Sequence, residues 1–439
     1  MDEENSIGGR VKRYAHVTQQ VGSLAAKMAT QRLFSSDPAD NRQKAVALKN
    51  ALGSLKGPIM KIAQLLSTIP DALPPEFAEE LSHLQSQAPS MGWPFVKRRM
   101  TAELGPDWQE KFAGFDHHAV AAASLGQVHR ATSLDGQLLA CKLQYPDMSS
   151  VVQADLSQLK LMLNMYDAYD KAINSSNIIQ EISSRLLEEL DYRQESKHLE
   201  MYSKMLNGES YVKIPKVFDD LSTGRLLTMS WLDGDPLMTA KERPLEERNQ
   251  IARNMFRAWY IPFYKYGIIH GDPHLGNYKF SQDGTVNLLD FGCVRVFPPS
   301  FVKGVIDLYF ALRDGNNDLA VSAYESWGFT NISKELIEVL NGWAGYLYAP
   351  LMDNRVRAID ETGRGFYGRE VASKVHDQLL NIGGVTPPSE FVFMDRAAIG
   401  LGSVFLHLKA ELNWYNEFHD LIKDFNVEDL EARQKIITS

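Results

Sequence analysis

Cysteine is nearly absent from this chain. Only two cysteines, Cys141 and Cys293, occur among its 439 residues. Two thiols cannot form the disulfide framework that stabilises many small secreted domains, so we expect a protein of a reducing compartment. We interpret both side chains as small apolar fillers of the core.

Long apolar segments are also missing. The longest candidates, residues 343–352 and 397–406, reach roughly half of the ~20 residues that a membrane-spanning helix needs. The opening residues MDEENSIGG lack the features of a secretory signal and of a transit peptide. We therefore expect a cytoplasmic protein, at most peripheral on the inner face of a membrane, with no transmembrane helix or signal peptide.

An excess of basic residues is absent too. The chain has 46 Lys and Arg against 55 Asp and Glu, a formal net charge of −9. This balance offers no basic surface to a phosphate backbone, so we expect no nucleic-acid partner. What is present is the composition of an ordinary globular protein, with 44% hydrophobic and 23% charged residues.

The hydrophobic periodicity divides the chain into three regions. Residues 1–110 carry apolar positions at helical spacing and predict an N-terminal helical extension. Residues 111–234 mix β-prone runs with helical stretches, which predicts a small lobe with inserted helices. Residues 235–439 predict a large, mainly helical lobe, and MSWLDGD between the lobes is a candidate hinge. The expected fold class is α+β.

Two β-hairpins are predicted from turn residues between β-prone runs. Leu-Asp-Gly separates GQVHRAT from QLLACKL, and a turn at Asp283-Gly284 divides NYKFSQDGTVNLLDF. Asp-Gly between such runs is typical of a hairpin.

The segment of residues 268–292 carries polar motifs in a fixed order. It reads IIHGDPHLGNYKFSQDGTVNLLDFG, with Asp272 after His-Gly, then Asn277, then Asp290 opening Asp-Phe-Gly. Phosphoryl transfer needs oxygen ligands for metal ions and a residue that orients or deprotonates the acceptor. The spacing is that of a kinase catalytic loop, so we predict Asp272 as catalytic and Asn277 and Asp290 as Mg²⁺ ligands. The alternative is two ordinary loop aspartates with locally satisfied hydrogen bonds.

A lysine on a small-lobe strand should complete such a site. Lys142 lies among apolar strand residues in LLACKLQ, and a lysine there is costly to bury without a carboxylate partner. We predict Glu195, in LDYRQES, as that partner and Lys142 as a phosphate ligand. Together these features predict a two-lobed, protein-kinase-like fold. For an isolated strand lysine, an exposed surface position would be the simpler interpretation.

These residues, with three further motifs, resemble the UbiB/AarF family of atypical protein-kinase-like proteins, the family of coenzyme Q biosynthesis factors. The first motif is AAAS, which resembles the family's alanine-rich nucleotide loop. The resemblance implies nucleotide binding by Ala121, Ala122, Ala123 and Ser124. Alanine restricts the positive φ and close phosphate approach that glycine permits, so we expect altered nucleotide handling.

The other two motifs are KIAQ at residues 61–64 and ELD at residues 189–191. They resemble the family's K-x-G-Q and E-x-D signatures, except that Ala63 replaces the glycine. The resemblance implies that Lys61 and Gln64 share a helix face that meets Glu189 and Asp191 near the nucleotide, as catalytic residues. Taken alone, Lys61 and Gln64 would be a solvated helix face.

The resemblance implies an ATP-binding protein that uses ATP or ADP with Mg²⁺. The activity would be that of an ATPase or a small-molecule or lipid kinase supporting ubiquinone or other isoprenoid-lipid metabolism. A quinone, an isoprenoid lipid or a membrane surface is then an expected partner, and a homodimer or a biosynthetic-complex partner stays open. A helical pattern resumes soon after Asp-Phe-Gly, without Ala-Pro-Glu, which disfavours a large protein substrate.

Two other functions fit part of the pattern. An aminoglycoside- or choline-kinase-like phosphotransferase also uses His-Gly-Asp followed by Asn, although KIAQ, the alanine loop and ELD disfavour it. A pseudokinase scaffold would bind nucleotide and act through a partner, although the catalytic positions are all present. Residues 335–439 carry no motif that we interpret, and a helical pack completing the large lobe is the default expectation.

Overall fold

The computed structural model describes residues 91–123, 125–150, 186–361 and 369–439, with a few separate positions at residues 42, 46, 152, 153, 156, 157, 180, 183 and 184. Lys61, Gln64 and Ser124 lie outside the described residues, as do almost all of residues 1–90. The predicted KIAQ site and the end of the predicted alanine loop therefore stay predictions.

The described residues form helices and short strands in both predicted lobes. The helices are α1 Trp93–Leu104, α2 Tyr192–Met205, α3 Leu245–Tyr266, α4 Pro299–Asp314, α5 Asn317–Ser326, α6 Lys334–Met352, α7 Arg369–Asn381, α8 Ser389–Leu408, α9 Trp414–Ile422 and α10 Val427–Thr438. The strands are β1 Gly114–Phe115, β2 Ala121–Ala123, β3 Gly126–Thr132, β4 Leu138–Gln144, β5 Val212–Lys213, β6 Leu226–Ser230, β7 Asp235–Pro236, β8 Ile268–His270, β9 Tyr278–Phe280, β10 Val286–Leu288, β11 Val294–Val296, β12 Arg357–Ala358 and β13 Glu411–Leu412.

The small lobe is a five-stranded antiparallel sheet. Its order is β1-β3-β4-β6, and β2 also pairs with β3. The turn between β3 and β4 contains Gly136 with a φ of 86°, which confirms the predicted hairpin. Because side chains alternate along a strand, Cys141 and Leu143 face a buried cluster with α1 residues Val96 and Met100. Lys142 therefore points to the opposite face of the sheet.

The large lobe begins with short strands that carry the predicted catalytic segment. One sheet has the order β5-β10-β9-β7, and β8 pairs with β11 in a second. The hairpin of β9 and β10 turns at Gly284, whose φ is 79°, as predicted from Asp283-Gly284. This hairpin places the end of the catalytic loop beside the strand that leads into Asp-Phe-Gly.

Helices α3 to α10 build the rest of the large lobe, as expected for residues 335–439. Helix α3 lies at its centre and buries one apolar residue after another, including Trp259 and Phe263. The core is one continuous cluster that reaches from Tyr192 in α2 to Leu430 in α10. The mixed sheet lobe and helical lobe confirm the predicted α+β, kinase-like fold class.

Helix α8 corrects one expectation. It is long and apolar enough to cross a membrane by length and composition, while 56% of its most apolar stretch is buried within the structure. In the sequence the apolar run is shorter than this helix because Asp395 and Arg396 interrupt it. Both are buried, and this burial is typical of a core helix.

Candidate active site

Lys142, Glu195 and Asp290 form a compact ionic cluster between the lobes. The Lys142 Nζ atom lies 2.7 Å from Glu195 Oε1 and 2.9 Å from Oε2. It also donates to Asp290 Oδ2 at 3.1 Å. Both Lys142 and Glu195 are buried, so this lysine is not the exposed surface residue that an isolated strand position would suggest.

The start of α2 sets the position of Glu195. Asp191 is the N-cap residue, and its side chain accepts a hydrogen bond from the backbone N–H of Arg193 at 3.0 Å. The cap fixes where the helix begins, and Glu195 follows in its first turn. Glu195 Oε1 also accepts a bond from the Phe291 backbone N–H at 3.4 Å, which joins α2 to Asp-Phe-Gly.

The electrostatics of the cluster favour a protonated lysine. Burial alone lowers the pKa of Lys142, but the attraction of Asp290 and Glu195 outweighs this effect and raises it well above its ordinary value. Burial raises the pKa of Glu195 to about 7, against the opposing pull of Lys142. Asp290, which shares the same ammonium group, adds a smaller repulsion that acts in the same direction as burial.

Asp272 and Asn277 form a second cluster in the catalytic loop. The Asn277 Nδ2 donates to Asp272 Oδ2 at 2.9 Å, and the Tyr278 hydroxyl donates to the Asp272 backbone carbonyl at 2.9 Å. The loop conformation is therefore held from inside by side chains that the motif itself supplies. The amide orientation turns the Asn277 Oδ1 atom away from Asp272 and leaves it as an acceptor.

Backbone contacts connect the two clusters. The Leu289 N–H donates to the Asn277 carbonyl at 3.0 Å, and a ring nitrogen of the buried His270 bonds to the Asp290 carbonyl. A second buried histidine, His198 of α2, bonds to the Phe291 carbonyl at 2.9 Å. Catalytic loop, Asp-Phe-Gly and α2 thus form one connected unit.

The three alanines of the predicted nucleotide loop form a strand. Ala121–Ala123 form β2 and pair antiparallel with β3, with Ala123 opposite Gly126. The tip of this hairpin includes Ser124, which lies outside the described residues. Further along β3, Val128 is directly opposite Lys142, so the hairpin and the lysine belong to one surface of the sheet.

Glu189 and Asp191 lie in the turn before α2, not on a regular helix. Asp191 caps the helix, and a Cβ atom added to Gly292 would lie 3.4 Å from Glu189 Cγ, so Glu189 is beside Asp-Phe-Gly. Asp191 also lines a cavity of about 530 Å³ between α2 and β11, together with Gln194 and His198. Their predicted meeting with Lys61 and Gln64 lies outside the described residues.

Sequence reasoning missed the contribution of α8 to the catalytic loop. The buried Arg396 places Nη2 3.8 Å from Asp272 Oδ1. On the same helix face, Phe393 packs against Gly271 and Gly400 packs against Pro273, so closely that a Cβ on Gly271 or on Gly400 would overlap these rings. The sequence signal was the Asp395-Arg396 pair inside an otherwise apolar segment, because charged residues there need polar partners if they are buried.

The donor set suits magnesium held jointly with a nucleotide. Among the described residues, no group of three or more His, Cys, Asp and Glu side chains could hold a metal ion. Mg²⁺ is commonly bound by one or two protein oxygens, with substrate phosphates and water completing its shell. Asp290, whose side chain is 36% exposed, and the Asn277 amide oxygen meet this requirement at neighbouring points of the backbone.

The chain is similar to known atypical kinase-like proteins. Residues 83–323 match the ABC1 atypical kinase-like domain. The chain is 24% identical to "Atypical kinase COQ8B, mitochondrial" of Danio rerio, over 98% of this chain and 69% of that protein. It is 31% identical to "Atypical kinase COQ8, mitochondrial" of Saccharomyces cerevisiae, over 61% of this chain and 54% of that protein.

A solved structure is similar over nearly the whole fold. It is the complex of Rv3197 with erythromycin from Mycobacterium tuberculosis, with a TM-score of 0.59 and 26% identity. The match covers 88% of this chain and 97% of that one. The domain match covers more than half of the chain, so this protein belongs to the ABC1 atypical kinase-like family, the UbiB/AarF family that its motifs resemble.

Proposed function

We propose that this protein is a Mg²⁺-dependent ATPase or a small-molecule or lipid kinase that supports ubiquinone or other isoprenoid-lipid metabolism. The observation that carries the proposal is the Lys142 ammonium group, buried between Glu195 and Asp290 at 2.7 and 3.1 Å. A lysine from the small lobe and an aspartate of Asp-Phe-Gly meet in this way where a nucleotide's phosphates are held.

Each residue of the two clusters has a distinct proposed role. Lys142 would bind the phosphates and is kept in place by Glu195. Asp272 would accept a proton from water or an acceptor hydroxyl, and its carboxylate is oriented for this by Asn277. Asn277 and Asp290 would hold Mg²⁺, which neutralises charge on the transferring phosphoryl group when bound.

The acceptor is proposed to be small or lipidic because the segment that follows Asp-Phe-Gly is too short to bind a large one. Strand β11 ends at Val296 and α4 begins at Pro299. A protein kinase uses a long segment between these two points as the platform for its protein substrate. The short connection supports water or a compact hydroxyl group as the acceptor.

The relatives support the proposed metabolic setting. Proteins named COQ8 and COQ8B are mitochondrial atypical kinases, and another relative is the chloroplastic "ACTIVITY OF BC1 COMPLEX KINASE 7" of Arabidopsis thaliana. We propose a quinone-related setting for this chain, peripherally at a membrane surface. The match covers 69% of the Danio rerio protein and 54% of the Saccharomyces cerevisiae protein, so partners in a complex stay part of the proposal.

The test is nucleotide hydrolysis by the purified full chain with and without Mg²⁺. We expect Asp290→Asn and Asp272→Asn each to lower turnover at least 100-fold, because each removes a charge that acts on the reacting groups. The exposed Asp420→Asn of α9 is the matched control and should retain wild-type turnover. Undiminished hydrolysis by Asp290→Asn would refute the metal role.

The acceptor is tested by supplying candidates with labelled ATP. Anionic vesicles with and without a quinone, an aminoglycoside and choline would be compared in parallel. Label transfer to a vesicle component supports a lipid kinase, and hydrolysis stimulated by vesicles without transfer supports an ATPase. Rapid transfer to the aminoglycoside or choline would favour the soluble phosphotransferase, and Mg²⁺-dependent nucleotide binding without turnover would favour a pseudokinase.

A further inference from the structure

Tyr192 carries a buried hydroxyl group that none of the motifs uses. It is the first residue of α2, only 2% of its surface is exposed, and its hydroxyl has no hydrogen-bond partner among the residues that the structure describes. A buried polar group without a partner costs free energy. Phenylalanine would fill the same space without that cost, so the hydroxyl calls for an explanation.

The hydroxyl lies between the alanine hairpin and the lysine of the ionic cluster. A Cβ atom added to Gly126, where β3 begins, would lie 2.8 Å from the Tyr192 hydroxyl. On the other side, Lys142 Nζ is 5.2 Å from the centre of the Tyr192 ring. The Tyr192 side chain therefore lies between the start of β3, which follows the proposed nucleotide loop, and the proposed phosphate-binding lysine.

The surroundings keep this hydroxyl a hydrogen-bond donor. Burial raises the pKa of Tyr192, and the neighbouring Lys142 lowers it by a smaller amount. The phenol thus stays protonated at any physiological pH. A protonated hydroxyl on a ring whose centre lies 5.2 Å from an ammonium group suits a ligand that is anionic and carries several acceptor oxygens.

Building on the proposed nucleotide site, we propose that the Tyr192 hydroxyl donates a hydrogen bond to a phosphate oxygen of the bound nucleoside di- or triphosphate. The bond would supplement an alanine loop whose backbone is less free than a glycine loop to approach phosphates. Gly126 is required here because a side chain would meet both the Leu143 carbonyl, at 2.3 Å, and the Tyr192 hydroxyl.

The test compares Tyr192→Phe with Tyr145→Phe in the full chain. Tyr145 is a matched control because it is also buried, in the same lobe, and its hydroxyl likewise has no hydrogen-bond partner among the described residues. Calorimetry would measure the dissociation constants of MgADP and of adenosine, and thermal melting of the nucleotide-free proteins would report on folding. Neither variant should melt at a lower temperature, because neither loses a hydrogen bond.

The expected result is specific to the phosphates. Tyr192→Phe should weaken MgADP binding by about tenfold, about 1.4 kcal/mol, while its adenosine affinity and both affinities of Tyr145→Phe stay at the wild-type value. Equal MgADP binding by wild type and Tyr192→Phe would overturn this inference alone, and so would an equal loss of adenosine affinity. If the wild-type protein binds no nucleotide, the proposed function fails together with it.

Discussion

The two sides of the cleft hold their buried cations very differently. Lys142 lies within hydrogen-bond distance of Glu195 and of Asp290, at 2.7 and 3.1 Å. Arg396 is also buried, but its Nη2 atom is 3.8 Å from Asp272 and its Nε atom has no hydrogen-bond partner within the described part of the chain. The side that we propose binds the nucleotide is thus held by short contacts, whereas the side that we propose binds the acceptor has a longer one.

This difference teaches how the two sides can be separated by experiment. Changes on the lysine side should affect folding and nucleotide binding together, because the same contacts serve both. Changes on the arginine side should affect turnover more than nucleotide binding, because Arg396 lies beside Asp272. The variants below either sharpen this contrast or break it.

The largest effect is expected from Lys142→Met. It leaves Glu195 buried and uncompensated, which costs about 3–5 kcal/mol for a buried ion pair that loses one partner. Urea unfolding at pH 8 measures the loss. The double variant Lys142→Met, Glu195→Met should recover most of it, and a single variant as stable as wild type would contradict the importance of the pair.

Gly400→Ala should be the next most damaging change. The new Cβ would lie 2.1 Å from Pro273 Cγ, so α8 and the catalytic loop must separate, at a cost of about 1–3 kcal/mol for overpacking. Gly342 of α6 is the matched control because no atom of the described residues lies within 4 Å of its added Cβ. Gly342→Ala should instead stabilise the protein by roughly 1 kcal/mol through helix propensity.

The outcome would be read by urea unfolding combined with turnover. Gly400→Ala should lose both stability and turnover, while Gly342→Ala loses neither. If both alanine variants gained stability, the close contact of α8 with the loop would be wrong, and the acceptor side would lose its structural support.

Arg396→Met should mainly lower turnover. It removes a cation 3.8 Å from Asp272 Oδ1, and we expect kcat for ATP hydrolysis to fall about tenfold, roughly 1.4 kcal/mol in barrier height. The dissociation constant of MgADP should change less than twofold, and Arg396→Lys should restore part of kcat. A large loss of nucleotide affinity with normal kcat would reverse the assignment of the two sides.

The smallest effect concerns the cysteines. Cys141 and Cys293 are both buried, and burial raises the pKa of the Cys141 thiol to about 12. Neither thiol should therefore react with a thiolate-directed reagent in the folded protein at pH 8, and both should react after denaturation. Rapid labelling of Cys141 in the native state would show that the small-lobe core opens readily.

The sequence could predict those parts of the site that depend on short-range spacing or on the alternation of side chains along a strand. Asp272, Asn277 and Asp290 lie on one short loop and hairpin, so their spacing along the chain nearly determines their spacing in space. The position of Lys142 follows from the alternation of side chains along its strand. The choice of Glu195 follows because a buried lysine needs a carboxylate partner. The contact between them is long-range, but chemical complementarity was enough to name it.

The remaining features depend on packing that no local pattern encodes. Arg396 reaches Asp272 only because Gly400 lets α8 lie directly against Pro273, and this requires the whole large lobe. Asp191 was predicted beside Glu189 as part of a catalytic motif, yet it also caps α2. A cap depends on where a helix begins, and helix boundaries are the least certain part of a sequence-based prediction.

One measurement tests most directly whether a metal–nucleotide complex binds between Lys142 and the pair Asn277 and Asp290. It is a crystal structure of the wild-type protein with ADP and Mn²⁺, whose anomalous signal locates the metal. We predict a metal peak in contact with oxygens of Asn277 and Asp290, and an ADP phosphate within hydrogen-bond distance of Lys142 Nζ. An ordered ADP–metal complex that contacts none of these three residues would contradict the assignment of this cleft.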